Sequence, residues 1–300
     1  MALKLLEKLV LKALPAIPGP LMRRLSARYI AGETLDQALT KAHELAERGF
    51  ESIIDLLGED ISHESEARAV LASYKSAASA LHENKLTSYV SIKPTHFGLR
   101  FSKALARELY GELLEHCASL GQVARVEMED HTTTDDTLEL FADLRGRYEN
   151  VGIVLQSRLF RTLEDIDQLP REKIDVRMVK GIYLEPASMA HTEPQAIRDA
   201  FVEGLTRLLD NGHTVALATH DESLAARSLH EIKTRSIAPE RYCFEVLLGV
   251  QQRLWNRWQD GGHRVRVYIP YGPEWRAYSQ RRLNKNPEIL RHLIRNVFGG

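Results

Sequence analysis

Short apolar runs rich in β-branched residues recur along the chain at 52–57 (SIIDLL), 88–93 (SYVSIK), 124–129 (ARVEME), 151–156 (VGIVLQ), 174–180 (IDVRMVK), 214–219 (TVALAT), 243–248 (CFEVLL) and 265–269 (VRVYI), each of strand length. Between them the apolar spacing changes to three and four, as at 101–120, 135–148, 195–209 and 224–234. That is the period of a helix with one buried face. Strands alternating with helices predict parallel βαβ units. Eight such units in about 250 residues match an α/β protein with a (β/α)8 TIM-like barrel. Turn signals fall where this scheme needs them, with Gly49 before the first run, Asn211-Gly212 before the sixth and Gly261-Gly262 before the eighth, and no proline interrupts a strand core. Residues 1–50 carry helical patterns only and are expected to form an N-terminal helical arm covering one end, with the barrel over 51–300 as the catalytic domain. No linker, internal repeat or low-complexity tract marks a second domain.

Composition narrows the function. At 44% hydrophobic and 27% charged residues, the chain can bury a large core, which excludes disordered, collagen-like and disulfide-scaffold classes. Forty Lys and Arg against forty-one Asp and Glu leave a net charge of -1, so no basic field exists to drive nucleic-acid binding. Two cysteines, Cys117 and Cys243, without a CxxC pair, suit a reducing compartment and offer no structural zinc site. The segment 1–14 (MALKLLEKLVLKAL) is too short and, with Lys4, Glu7, Lys8 and Lys12, too charged to span a bilayer or serve as a signal-peptide core. It is either a helix packed on the domain or an interfacial amphipathic helix touching anionic lipid.

Chemistry in such a barrel belongs at the C-terminal ends of the strands. Those ends carry Asp55 or Glu59, Lys93, Glu129-Asp130-His131, Gln156, Arg177 with Lys180, Thr219-His220, Glu245 and Tyr268. Buried polar groups cost roughly 1–3 kcal/mol each when unpaired, so such a ring implies either a ligand or a dense network of ion pairs that closes the barrel. His131 and His220 with Asp130 and Glu129 could in principle hold a metal, but no HxH or HExxH pairing supplies two ligands from one element, and no metal is expected. A Schiff-base reaction at Lys93 or Lys180 is not excluded by spacing.

Particular strings discriminate further. SIKPT at 91–95, EMED at 127–130, VRMVKGIYLEP at 176–186, LATHD at 217–221, FEVLLG at 244–249, RVYIPYG at 266–272 and YSQRRLNKN at 278–286 together strongly resemble the FAD-dependent proline dehydrogenase family, in its one-component bacterial form. The resemblance runs from about the first strand to the end of the chain. It implies a distorted barrel that holds FAD noncovalently over the strand ends and oxidises L-proline to Δ1-pyrroline-5-carboxylate, the first step of proline catabolism to glutamate. Hydride would pass from the ring carbon next to nitrogen to flavin N5. Electrons would then go to a quinone, and a separate pyrroline-5-carboxylate dehydrogenase would take the product. The implied location is cytoplasmic, with peripheral contact at the inner membrane. Two other readings stay open: an FAD enzyme of this scaffold acting on another cyclic or secondary amine, and a non-catalytic flavin-binding barrel.

Site residues follow from the same resemblance. Arg177 matches the arginine at the flavin N5 edge, where a fixed cation favours the reduced ring; the competing reading is an ordinary ion pair with Asp175 or Glu129. Asp130 and Lys93 match the active-site carboxylate and lysine, and as neighbours would hold each other ionised. His131, Gln156, Val179, Lys180, Gly181, Thr219 and His220 match positions around the cofactor, and Gly181, lacking Cβ, lets backbone approach it. No GxGxxG opens a βα unit, which counts against nicotinamide. Tyr278, Arg281 and Arg282 fall at i, i+3 and i+4 of the last helix, where the arginine pair matches the grip on the proline carboxylate, a solvated basic face being the alternative. Tyr268 matches the tyrosine against the ring carbon that distinguishes proline from hydroxyproline, and Leu247 matches an apolar wall. The chain departs from the family at Ile182, usually a small residue, at Lys285, usually glutamate, and at Asp221, where ATHN is frequent.

Overall fold

Every predicted run becomes a parallel strand, because helices on the outside and packed side chains in the bore bury both faces; in Val151–Gln156 all six residues are buried. The computed structural model describes residues 19–276, 278 and 279. Its strands are β1 (Glu51–Leu56), β2 (Ser88–Ile92), β3 (Ala124–Val126), β4 (Val151–Gln156), β5 (Asp175–Val179), β6 (Thr214–Ala218), β7 (Tyr242–Leu247) and β8 (Val265–Tyr271). They close in chain order into one barrel, β8 pairing in parallel with β1 from Glu51↔Arg266 to Leu56↔Tyr271.

The helices are α1 (Gly19–Ser26), α2 (Leu35–Ala46), α3 (Glu64–Glu83), α4 (Lys103–Ser119), α5 (Thr134–Arg145), α6 (Thr162–Asp167), α7 (Pro194–Asp210), α8 (Glu222–Thr234) and α9 (Gln252–Asp260). Their apolar stripes and the outward strand residues form the main core, as where Leu205 and Leu208 of α7 join Met178 of β5. Caps begin several helices where the sequence allows. Thr34 and Gln37 form a capping box at α2, and Ser102 and Asp221 accept from Leu105 N and Leu224 N at α4 and α8.

Two strands end more than one residue from expectation. The third run leaves the ladder after Val126, because the Glu129 carboxylate accepts from Thr95 N at 2.9 Å and Thr95 Oγ1 at 2.7 Å and draws this segment toward the loop after β2. The eighth continues through Pro270, whose carbonyl accepts from Ala31 N at 3.0 Å. A proline thus sits at the strand's end, where a missing N–H is tolerated.

The N-terminal segment is applied to the flank as well as to one end. Helix α2 buries Ala38, Ala42 and Leu45 against the β8–β1 seam. Met22, Tyr29 and Ile30 join Leu57 and Trp275 in a second apolar cluster at the rim. There Gly249, at φ +76°, approaches the Arg28 carbonyl so closely that a Cβ would lie 2.0 Å from it. Residues 1–14, the candidate interfacial helix, lie outside the described residues. Among the described residues no helix is long and apolar enough to cross a membrane.

Candidate active site

The bore is filled by ion pairs that cross it. Arg125 of β3, 1% exposed at its side chain, donates to Glu245 of β7 at 2.8 and 2.9 Å and pairs with Asp175 of β5 at 2.6 Å. Glu245, 2% exposed, also accepts from Arg177, from Arg266 at 3.0 Å and from the Tyr89 hydroxyl at 2.7 Å. The Arg125 and Arg266 guanidiniums both lie over the Tyr89 ring, 4.7 and 4.8 Å from its centroid. Arg177 reaches on to Glu127, which also accepts from Ser91 and, at 3.3 Å, from the Tyr268 hydroxyl. Burial alone would disfavour the Arg177 cation, but Glu127 and Glu245 outweigh it and hold the guanidinium charged.

The network therefore exists, and Arg177 is its uppermost cation. Its partners are Glu127 and Glu245 rather than Asp175 or Glu129. Of the network, Arg125, Glu127, Tyr89, Arg266 and Ser91 carry no role in the sequence reading. Their signal was the period-two polar pattern inside the runs, at 89, 91 and 93, at 125, 127 and 129, at 175 and 177 and at 266 and 268, which marks one polar face pointing into the bore.

Above this layer the strand ends converge. Lys93 follows β2 and bonds Glu59 Oε2 at 3.1 Å and the Gly58 carbonyl at 3.5 Å. Asp130 is held by Arg100 at 3.1 Å and by Thr132 N at 2.9 Å. The expected Lys93–Asp130 pairing is thus corrected. The turn after β1 delivers Glu59 to the lysine, and the loop before α4 delivers Arg100 to the aspartate. Burial works against both charges, but Asp55 and Glu59 keep Lys93 raised, and hydrogen bonds from Thr132 with the charge of Arg100 keep Asp130 lowered. Leu247 is registered with Tyr268 on the neighbouring strand, and Tyr278 packs half-buried against the rim cluster. Arg281, Arg282 and Lys285 lie outside the described residues.

On the opposite side, register places Gln156 beside Val179 and Val179 beside Ala218, so the ends of β4, β5 and β6 form one ledge. Gln156 donates from Nε2 to the Glu129 carbonyl at 3.0 Å, which leaves its buried Oε1 with no partner. Gly181, at φ +93°, faces that oxygen, and a Cβ there would lie 2.6 Å from it. A flavin fits this ledge: a free acceptor, a backbone approach open only to glycine and a fixed cation stand together.

Thr219 Oγ1 accepts from Asp221 N at 3.0 Å, and His220 Nε2 accepts from Leu247 N at 3.0 Å. Asp221 binds Lys180 at 3.0 Å and Arg198 at 2.7 Å, which hold its carboxyl down at about 2 despite partial burial. Lys180 is thereby tethered at the ledge by the residue in which this chain departs from ATHN. His131 turns its Nδ1 to Glu185 at 2.6 Å, joining the loops after β3 and β5. Ile182 is 68% exposed at the mouth. Among the described residues no group of three His, Cys, Asp or Glu could hold a metal.

Comparison with known proteins identifies the family and the barrel fold. The model of the proline dehydrogenase family matches residues 38–293. Proline dehydrogenase 1 of Bacillus subtilis is 31% identical over 276 residues, covering 91% of both chains. Proline dehydrogenase of Deinococcus radiodurans is 31% identical over 284 residues, 93% of this chain and 92% of that one. In structure, proline utilization A from Bdellovibrio bacteriovorus superposes with a TM-score of 0.81 at 23% identity, over 87% of this chain and 33% of that much longer one, and shares the barrel fold. The chain belongs to the proline dehydrogenase family, flavin-using oxidoreductases of proline catabolism.

Proposed function

We propose that this chain oxidises L-proline to Δ1-pyrroline-5-carboxylate with noncovalently bound FAD and passes the electrons to a quinone. A separate pyrroline-5-carboxylate dehydrogenase takes the product, and the protein works in the cytoplasm with peripheral contact at the inner membrane. The observation that carries this reading is the juxtaposition of Arg177, locked between Glu127 and Glu245, with the glycine-lined ledge at Gln156 and Gly181.

In the proposed site Gln156, Val179, Lys180, Gly181, Thr219, His220 and His131 hold the cofactor, which when bound accepts the hydride leaving the ring carbon next to the proline nitrogen. Arg177 keeps a positive charge fixed at the top of the bore and so favours charge gained there. Arg281 and Arg282 grip the substrate carboxylate, aided by Lys93 and Tyr278. Tyr268 and Leu247 wall the ring, and Asp130, ionised by its partners, faces the mouth as the carboxylate for the substrate amine. The reaction releases a proton from the proline ammonium, because only the neutral amine can supply electrons as hydride departs.

The visible spectrum of the purified protein tests this reading. A flavin spectrum bleached by L-proline without oxygen is expected. A protein that takes up no flavin on reconstitution overturns the cofactor, and a flavin spectrum indifferent to L-proline overturns the substrate in favour of another secondary amine.

A further inference from the structure

Asp55, near the end of β1, is 2% exposed and has no part in the chemistry above. The Tyr268 hydroxyl, whose proton goes to Glu127, stands beside its carboxylate, and Oδ1 has no hydrogen-bond partner. A buried acceptor left unmade is costly, so an unpartnered carboxylate oxygen calls for a second state in which it is satisfied.

Its neighbours define that state. Lys93 faces it from the end of β2, Glu127 from beyond β3, Arg177 from β5, Tyr268 and Tyr271 from β8 and Tyr74 from α3. Arg177 is already committed to Glu127 and Glu245. Lys93 is shared by Asp55, Glu59 and Glu129. One ammonium thus serves three carboxylates before any ligand arrives. Burial pushes the Asp55 carboxyl up to about 7 against the pull of Lys93, with Glu127 adding to the rise.

We propose that Asp55 is a proton-accepting positioning residue behind Lys93, taking up a proton on its free Oδ1 when the carboxylate of a bound amino acid adds a further negative charge at the mouth. The inference rests on the substrate reading above, in which Lys93 belongs to the carboxylate site. No bond other than O–H forms and no electron moves; the proton comes from solvent. The arriving anion strengthens proton binding at a neighbouring carboxylate by like-charge repulsion. The neutral carboxyl releases Lys93 toward the ligand and removes the buried, unpartnered negative charge.

The test uses the flavin-loaded enzyme and cyclopentanecarboxylate, a ring carboxylate with no amine to oxidise. Titration calorimetry in two buffers of different ionisation heat counts protons bound per ligand. Net uptake is expected at pH 8, where Asp55 is mostly ionised, with a fall toward zero at pH 6, where it is mostly protonated. Asp55→Asn should bind with no uptake at either pH. Equal uptake in both proteins, or none in a saturated wild type at pH 8, overturns the inference. Should Asp55→Asn not fold, the ligand-minus-free infrared spectrum of the wild type decides. A new protonated-carboxyl band supports the inference, and its absence overturns it. If L-proline bleaches the flavin but no proton is taken up, this inference alone fails. If the wild type neither binds cyclopentanecarboxylate nor is bleached by L-proline, the substrate reading fails and takes this inference with it.

Discussion

Arg177 and Tyr268 share one acceptor. Glu127 takes a hydrogen bond from the guanidinium and another, at 3.3 Å, from the tyrosine hydroxyl, while the guanidinium carbon lies 5.2 Å from the Tyr268 ring centroid. The cation proposed for the cofactor and the ring proposed for the substrate are therefore fixed by a single carboxylate. Glu127→Gln keeps the shape and removes the charge, which leaves Arg177 more positive. The flavin midpoint potential should rise by about 30 mV, equivalent to about 1.4 kcal/mol for two electrons. Spectroelectrochemistry measures this, and an unchanged or lower potential would detach Arg177 from the cofactor.

Gly181→Ala places a Cβ 2.6 Å from Gln156 Oε1 at a backbone angle that alanine rarely adopts. Flavin retained after purification should fall sharply while the far-ultraviolet circular dichroism stays that of the barrel. Full flavin content would mean that the cofactor does not use this ledge.

Asp221 supplies a pH dependence. Its carboxyl is lowered from 3.8 to about 2, so its ion pairs contribute stability that is complete above pH 4 and lost as the pH falls through 2. With solvent screening the contribution is about 1 kcal/mol. In acid scans the wild type should lose this increment between pH 4 and pH 2, and Asp221→Asn should start lower and show no such step.

Arg282→Met should raise KM for proline sharply and spare flavin content, because a charge-assisted pair is worth roughly 1.5–3 kcal/mol in a partly desolvated site. A KM equal to wild type would assign the arginine pair to a solvated face.

Substrate choice should depend on Tyr268 and little on the exposed Ile182. Tyr268→Ser should narrow the preference for proline over 4-hydroxyproline, which steric rejection of a hydroxyl limits to about a hundredfold. Ile182 is mostly exposed at the mouth, so Ile182→Ala should change kcat/KM for both substrates by no more than about twofold, the roughly 0.5 kcal/mol of a surface substitution. Steady-state kinetics of the two variants and their combination separate the effects. A wild type that oxidises both substrates equally well would remove Tyr268 as a gate.

Strand order and the mouth residues were legible because parallel strands write themselves as apolar runs and barrels place chemistry at their ends. The inner network was harder to read. Arg125, Glu245 and Arg266 sit in the interiors of runs, and only the period-two pattern marks them as facing one another. Pairing at the mouth was not legible at all. Lys93 finds Glu59 and Asp130 finds Arg100 across loops whose lengths do not reveal their paths. Resemblance named residues that fall at the strand ends, but a partner 34 or 30 residues away depends on the turn between.

The β8–β1 seam also fixes an order of events during synthesis. Glu51 is pinned to Arg264 and Arg266, more than two hundred residues later, so β1 leaves the ribosome with one edge that nothing can pair until almost the whole chain has followed. Such long-range closure is slow, and an open edge invites pairing with other chains. Helix α2, translated just before β1, is the element that ends up lying over this seam. A shortened protein lacking Leu35–Ala46 should consequently aggregate during refolding, even where the finished barrel would tolerate the loss.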